Sequence, residues 1–160
     1  MNALSLETLA ELIPPSGYFN VKAQRLKNFL AHLNREHDGS LNRLFRSKNR
    51  KRQNTGKAEH LRAELLSING IGPETADSIL LYAGGRAEFV VDAYTRRILS
   101  RHGLQSDTAT YGELKEFFTS ALVPDAALFN EYHALIVMTG KEYCRPRRQK
   151  CEECPLKLFL

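Results

Sequence analysis

The sequence predicts an all-α fold, and three observations support this prediction. Apolar residues recur at helical spacing over nearly the whole chain, and no segment shows convincing strand alternation. Capping residues and prolines stand where such helices would begin or end. Hydrophobic residues make up 42% of the 160 residues, which is enough to form a folded core.

The first part of the chain divides into helical segments separated by polar turns. Pro14 and Pro15 end a short first helix, because proline cannot continue a helix. Asn20 is expected to cap the second helix, which ends at residues 37–40. The helical segments expected here cover residues 5–12, 20–37, 41–45 and 57–68.

Helix signals continue through the second part of the chain. Pro73 is expected at the first position of a helix, where its missing N–H group costs nothing. Phe89-Val90-Val91 is expected to be a short, buried, extended segment that leads into a helix opened by Asp92. Thr110 and Glu113 have the spacing of a capping box. The expected helices cover residues 73–83, 92–102 and 124–140, and one more starts at residue 110.

Basic residues are concentrated in one region of the chain. The net charge is +5, yet residues 21–62 contain twelve Lys or Arg against three Asp or Glu, so the remainder is net acidic. This asymmetry indicates either a polyanionic partner or a solvated surface. Residues 47–56 are expected to form a polar loop that either contacts phosphates or is simply solvated. The candidate phosphate contacts are Lys48, Arg50, Lys51 and Arg52.

The turn Asn69-Gly70-Ile71-Gly72 lies between two predicted helices. Its glycines allow the backbone to approach a phosphate closely. The first N–H groups of the following helix lack intrahelical acceptors and carry the positive end of the helix dipole. The turn is therefore either a phosphate site without sequence preference or an ordinary connection between helices. The predicted contacts are Asn69, Gly70, Ile71, Gly72 and Thr75.

Two runs of sequence together carry a family resemblance. Leu65–Ala76 and Phe89–Arg97 resemble the helix-hairpin-helix-Gly-Pro-Asp signature of endonuclease III-like DNA glycosylases, and the spacing from the turn to Asp92 matches as well. The resemblance covers about residues 4–160. It implies a helix-hairpin-helix DNA glycosylase fold, a role in base-excision repair and double-stranded DNA as the partner.

Asp92 is the predicted catalytic residue. Breaking an N-glycosidic bond builds positive charge on the sugar, and a carboxylate beside the anomeric carbon stabilises that charge. The resemblance implies this role for the aspartate at position 92. Capping of its helix is the alternative role, and the two roles are compatible.

Glu74 occupies the position at which the resemblance implies a nucleophilic lysine in bifunctional glycosylases. A carboxylate cannot form an imine, so we expect no lysine-dependent lyase activity. The sequence instead resembles the monofunctional branch, which includes 3-methyladenine DNA glycosylases. Glu74 is also expected to interact favourably with the dipole of its helix. The predicted function is hydrolytic release of a damaged base; the alternative is a non-catalytic, sequence-independent helix-hairpin-helix DNA-binding module.

All three cysteines lie between residues 144 and 154, a clustering that argues against disulfides and for a metal or iron–sulfur site. The spacing Cys144-x6-Cys151-x2-Cys154 resembles the iron–sulfur loop of the family. The resemblance implies a [4Fe–4S] cluster with three cysteine ligands from this chain; the alternative is that the thiols hold no metal. Arg147 and Arg148 are predicted either to contact DNA or only to keep the tail solvated.

Further expectations concern organisation and the base pocket. A helical domain is expected over residues 1–140, with the hairpin motif over about residues 58–84 and a cysteine-containing tail over residues 141–160. The family's base-wedging helix is expected before residue 5 and is not in this sequence, so the surface it would cover is a candidate homo-oligomer contact. We expect no membrane association and a cytoplasmic, nucleoid-associated protein of a prokaryote. Candidate pocket residues, each of which could also be core or surface, are Tyr82, Tyr94 and His133.

Overall fold

The computed structural model describes residues 3–45 and 56–159, with side chains described over 3–45 and 59–159. These ranges contain helices and turns and no β-strand, so the all-α prediction is confirmed. The chain forms two compact units, Met1–Gly72 and Pro73–Leu160. The predicted helical domain over residues 1–140 and tail over residues 141–160 stay a prediction.

The first unit is built around one long helix. Ser5 caps the short helix that precedes it, because its hydroxyl accepts a hydrogen bond from the Thr8 N–H at 3.1 Å. Leu9 and Ala10 of the short helix pack with Ala23 of the long one in a small apolar core. The helices of this unit are α1 (Leu6–Leu12), α2 (Phe19–His37), α3 (Leu41–Phe45) and α4 (Gly56–Leu66).

The start of α2 differs from the prediction. Asn20 does not cap it, because α2 begins one residue earlier, at Phe19. The chain enters α2 through Gly17 (φ 65°) and Tyr18 (φ 46°), both in positive-φ conformations. This pair of residues turns the chain into the helix without a side-chain cap, which leaves Asn20 inside the first turn.

The second unit begins directly after the Asn69–Gly72 turn. Its first helix widens into a π-helical turn, Ile79–Ala83, closed by a 3.0 Å bond from the Gly84 N–H to the Ile79 carbonyl. Leu80 is fully buried, whereas Tyr82 is 50% exposed. The helices of this unit are α5 (Pro73–Ser78), α6 (Ala93–Arg101), α7 (Tyr111–Thr119) and α8 (Ala126–Glu142).

An aromatic core holds the second unit together. Phe89 is completely buried and stacks on Phe118 of α7 with ring centroids 4.1 Å apart. It also makes edge contacts with Phe129 at 5.3 Å and Tyr132 at 5.9 Å, both on α8. The Phe89–Val91 segment is therefore buried as predicted, although it does not pair as a strand.

Side chains cap three helices of the second unit, and the capping box predicted at Thr110 and Glu113 is confirmed. Thr110 and Glu113 form a reciprocal capping box at α7, and Asp125 accepts a hydrogen bond from the Leu128 N–H at 2.7 Å to cap α8. Asp92 caps α6. Within the part of the chain that the structure describes, no helix has the length and hydrophobicity that a membrane span requires.

Candidate active site

The Asn69–Gly72 turn is held by its own backbone and by α2. The Ile71 N–H donates to the Ile68 carbonyl at 3.0 Å. The Asn28 amide of α2 donates to the Asn69 carbonyl at 2.9 Å. Ile68 and Ile71 are both buried, as expected for residues that fix the turn to the core of its unit.

The two glycines of the turn serve different purposes. Gly70 has φ +94°, and a Cβ built there would lie 2.4 Å from Cγ of Arg25, so the fold itself requires glycine at this position. Gly72 has an ordinary φ, and a Cβ there would meet nothing within 4 Å. Gly72 is also exposed. The space beside Gly72 is therefore open to a group from outside the protein.

Asp92 sits where a buried segment becomes a helix, and its two oxygens have different partners. Oδ1 accepts hydrogen bonds from the Thr95 N–H at 2.8 Å and the Thr95 hydroxyl at 2.9 Å. Oδ2 lies 3.5 Å from Nε2 of His133 on α8. This separation is too long for a well-formed hydrogen bond, so the interaction is mainly electrostatic. The helix cap therefore uses only Oδ1, and Oδ2 makes no hydrogen bond to the cap.

The surroundings of Asp92 favour its ionised form. Burial alone would raise the pKa of this carboxyl, but His133 and the hydrogen bonds from Thr95 outweigh it, and the net pKa is lowered. Asp92 is therefore a carboxylate at neutral pH.

Glu74 titrates in the opposite direction. Burial and the nearby negative charge of Asp92 raise its pKa, although His133 partly opposes this effect. Two carboxyl groups in one site with pKa values moved apart are typical of acid–base and electrostatic catalysis. The first-turn position of Glu74 in α5 also agrees with the predicted dipole interaction.

His133 is held on its far side by Tyr82. The tyrosine hydroxyl contacts Nδ1 of the imidazole, and the two ring centroids are 6.0 Å apart. Burial and the charge of Asp92 raise the pKa of Tyr82, so this hydroxyl remains protonated and can donate to Nδ1. This contact at Nδ1 leaves Nε2 as the ring nitrogen that faces Asp92.

A cavity of about 500 Å³ opens beside these carboxyls, within the size range of small-molecule sites. Asp92 and Glu74 are part of its wall. Three arginines of α6 also line it, but their guanidinium groups donate to backbone carbonyls: Arg96 to Asp107 and Ala109, Arg97 to Gly140 and Cys144, and Arg101 to Arg145 and Pro146.

The three residues that the sequence suggested as pocket lining lie in different places. Tyr82 and His133 lie beside Asp92, as described above, although neither lines the cavity itself. Tyr94 instead packs against Gly140, where a Cβ would lie 2.4 Å from its ring, and beneath the Arg97 guanidinium. The contact between His133 and Asp92 was missed from sequence. The sequence analysis named His133 only as a candidate pocket residue and did not pair it with Asp92.

The tail is anchored to α6 through Cys144. Arg97 donates to the Cys144 carbonyl at 2.7 Å, and Arg101 lies 3.3 Å from its sulfur. All three cysteines are free thiols; Cys144 and Cys154 are half-buried and Cys151 is exposed. Their sulfurs do not form a compact group like that of a single tetrahedral ion, whose bonds of about 2.3 Å would bring them within about 4 Å of one another.

The predicted basic contacts are only partly described. Arg147 and Arg148 lie in the exposed part of the tail. The loop residues Lys48, Arg50, Lys51 and Arg52 lie outside the described residues, so their predicted role stays a prediction. Thr75 is exposed in the first turn of α5, which follows the Asn69–Gly72 turn directly.

The family of the chain follows from a match to a family model. The model described as HhH-GPD superfamily base excision DNA repair protein matches residues 1–124. The chain belongs to this family. The endonuclease III-like resemblance and the helix-hairpin-helix fold predicted from sequence are thereby confirmed.

Individual relatives agree with this assignment. A Methanocaldococcus jannaschii protein, whose name assigns it provisionally to the DNA repair glycosylases, is 46% identical over 153 residues, which are 96% of this chain and 66% of that protein. A trapped endonuclease III–DNA covalent intermediate has a TM-score of 0.75 at 21% identity, over 98% of this chain and 65% of that one. Helicobacter pylori 3-methyladenine DNA glycosylase bound to 1,N6-ethenoadenine has a TM-score of 0.70 at 26% identity, over 88% of this chain and 65% of that one. The chain thus spans slightly less than two thirds of each of these proteins.

The two glycines give a first prediction. Gly70→Ala is expected to destabilise the chain by about 1–3 kcal/mol, because alanine is strained at positive φ and its Cβ meets Arg25. Gly72→Ala is expected to change stability by less than about 0.5 kcal/mol, because its Cβ points into open space. Urea unfolding of both variants beside the parent protein measures this difference. Equal destabilisation by the two changes would contradict the different roles assigned to the glycines.

Proposed function

We propose that this chain carries the catalytic part of a monofunctional DNA glycosylase that hydrolyses the N-glycosidic bond of a damaged base. The observation that carries the proposal is the environment of Asp92, an ionised carboxylate in the wall of a cavity. The helix cap fixes its Oδ1 atom and makes no hydrogen bond to Oδ2. A fixed negative charge of this kind stabilises the positive charge that develops on the sugar as the bond breaks.

The reaction consistent with this site is hydrolysis. The bond between the base nitrogen and the anomeric carbon breaks, and its electron pair leaves with the base. A water oxygen forms the new bond to the anomeric carbon and releases a proton. Oδ2 of Asp92 can accept that proton or orient the water, because Thr95 occupies only Oδ1.

The composition of the site supports a monofunctional enzyme. The described residues that line the cavity include Glu74 and no lysine, so none of them supplies an amine for an imine with the sugar. Water is therefore the nucleophile in the proposed reaction.

Double-stranded DNA is the proposed partner, with the Asn69–Gly72 turn and Thr75 at the start of α5 as its phosphate contacts. The open space beside Gly72 supports this role, because a phosphate can approach the backbone there. The predicted contacts Arg147 and Arg148, and the basic loop over residues 47–56, would add attraction that does not depend on base sequence. Homo-oligomer formation stays a prediction.

The substrate is proposed to be a damaged purine or another small lesion. The similarity to a 3-methyladenine DNA glycosylase bound to 1,N6-ethenoadenine supports alkylated and etheno purines as the first substrates to examine. The position of Glu74 agrees with the monofunctional branch to which the sequence was assigned.

A [4Fe–4S] cluster is the proposed cofactor, and Cys144, Cys151 and Cys154 are the residues that would hold it. Three thiols within eleven residues support this proposal, because cysteine thiolates are the usual ligands of such clusters. Arg101 lies 3.3 Å from the Cys144 sulfur and helps to fix the position of that thiol. When bound, the cluster would supply cross-links between the turns of the tail.

Asp92→Asn tests the catalytic assignment. Base release is expected to fall about 100- to 1,000-fold, because a fixed charge beside the sugar is lost. Folding is expected to be retained, since asparagine caps helices about as well as aspartate. The measurement is single-turnover base release from DNA containing methylated purines, ethenoadenine or uracil.

Asp125→Asn is the matched control for this variant. It makes the same chemical change at the cap of α8, where the carboxylate contacts the Leu128 N–H. Its base release is expected to stay within about twofold of the parent protein, as is usual for a surface change. If the parent binds DNA but releases no base from any lesion, the chain is the non-catalytic DNA-binding module instead.

The absence of lyase chemistry gives a separate prediction. Borohydride is expected to trap no covalent complex with DNA, because the residue at position 74 is a carboxylate. Strand breaks should appear only after alkali converts the abasic products. A bifunctional glycosylase run in parallel provides the positive control, and a trapped complex with this chain would refute the monofunctional proposal.

His133→Leu tests whether His133 positions and charges Asp92. Without the imidazole, burial raises the pKa of Asp92 with less opposition, so the acid limb of the base-release pH profile should move to higher pH. His102→Leu is the matched control, because the His102 imidazole contacts the Phe159 carbonyl in the tail region and does not line the cavity. If His133 is only a packing residue, the rate can fall but the position of the acid limb stays unchanged.

A further inference from the structure

Three side chains with metal-binding atoms meet in the first unit, away from Asp92 in sequence. His32 and His37 lie on α2, and Glu64 lies on α4. One ligand atom from each lies within 4.8 Å of the other two. Among the residues that the structure describes, no other three His, Cys, Asp or Glu side chains come together in this way.

The two imidazoles face the same carboxylate oxygen. Nε2 of His32 lies 2.9 Å from Oε1 of Glu64, and Nε2 of His37 lies 2.5 Å from that oxygen. The two rings are 6.0 Å apart and inclined at 51°. Each imidazole therefore directs a nitrogen to one common point, an arrangement that hydrogen bonding to the carboxylate maintains when no ion is bound.

We propose that His32, His37 and Glu64 form a binding site for a single divalent transition-metal ion, with zinc as the leading candidate. Two imidazoles and one carboxylate are a ligand set that Zn²⁺ accepts readily, with a water molecule as the fourth ligand. Bonds of about 2.0–2.2 Å in a tetrahedral site separate ligand atoms by about 3.4 Å. The two distances to Glu64 need to open by less than about 1 Å to reach that geometry, and the two histidine nitrogens already lie within 4.8 Å of each other.

The accessibility of the three side chains suits such an ion. The exposed fractions are 10% for the His32 side chain, 17% for His37 and 20% for Glu64. The ligands are thus shielded from most of the solvent, and each keeps a small exposed fraction. Binding replaces the contacts of both Nε2 atoms with the carboxylate by bonds from these atoms to the ion.

Arg35 is the neighbour that must respond when an ion binds. Its Nη2 lies 3.4 Å from Nδ1 of His32, which becomes the protonated nitrogen once Nε2 binds metal. The Arg35 side chain is 68% exposed, and its Nε donates to Glu36 at 2.6 Å. The guanidinium can therefore turn into solvent without breaking a buried contact.

The position of the site gives the ion a structural role. The α2 helix that carries both histidines also supports the hairpin turn through Arg25 and Asn28. A metal ion shared with Glu64 would join α2 to α4, the helix that leads into that turn. The bound ion would therefore stiffen the support of the turn and stabilise the folded unit.

Titration with Zn²⁺ and Co²⁺ tests the site, with Cys144, Cys151 and Cys154 replaced by serine to remove the thiols as competing ligands. We expect one equivalent of Zn²⁺ to bind by calorimetry and to raise the melting temperature. Co²⁺ should give visible d–d absorption without a thiolate charge-transfer band. In the unaltered chain the same d–d signal should remain alongside any thiolate band.

Two variants locate the ion. His37→Asn and Glu64→Gln should each weaken Zn²⁺ binding at least tenfold, whereas His102→Asn, a matched change in the other unit, should leave it unchanged. Circular dichroism without metal confirms that each variant is folded. Arg35→Ala is expected to strengthen binding, because it removes the donor that competes for Nδ1 of His32.

Clear outcomes would overturn the proposal. It fails if the cysteine-free protein binds no Zn²⁺ at micromolar concentration, or if folded His37→Asn and Glu64→Gln proteins bind it as well as their parent. Asp92→Asn should bind Zn²⁺ as tightly as its parent, so the test of the metal site does not depend on glycosylase activity.

Discussion

The burial of Phe89 is the constraint on which the second unit depends. Its ring stacks on Phe118 of α7 and meets the edges of Phe129 and Tyr132 of α8, so one side chain joins the segment before α6 to two later helices. The residue after Tyr132 on α8 is His133. The same packing that fills the core therefore brings an imidazole to Asp92, three residues beyond Phe89.

The resulting site uses two acidic groups in different ways. Asp92 stays charged because His133 and Thr95 offset the penalty of burial, whereas Glu74 has its pKa raised by burial and by Asp92 itself. A lysine in place of Glu74 would instead bring an amine close to Asp92. In the proposed reaction, the carboxyl at position 74 supplies no amine for lyase chemistry, and its charge contributes to the electrostatics of the cavity.

The first unit is organised along one face of α2. Arg25 packs over Gly70, Asn28 holds the Asn69 carbonyl and His32 meets Glu64, at steps of three and four residues that place all three side chains on neighbouring turns. The hairpin turn is thus supported by a helix that lies far before it in sequence. A metal ion at His32, His37 and Glu64 would reinforce this support from the opposite end of the same face.

The sequence alone determined the local features of this protein. The helix caps at Asp92 and Thr110 were correct because a cap depends on a side chain and the backbone within three residues of it. The glycine turn and its family signature were readable for the same reason. The cap predicted at Asn20 was wrong because the entry into α2 depends on the positive φ of Gly17 and Tyr18 instead. Only the tertiary structure decided that His133 faces Asp92, that Tyr82 holds His133 and that two histidines converge on Glu64. These contacts join residues distant in sequence, and they depend on which face of each helix packs inward, which local periodicity does not determine.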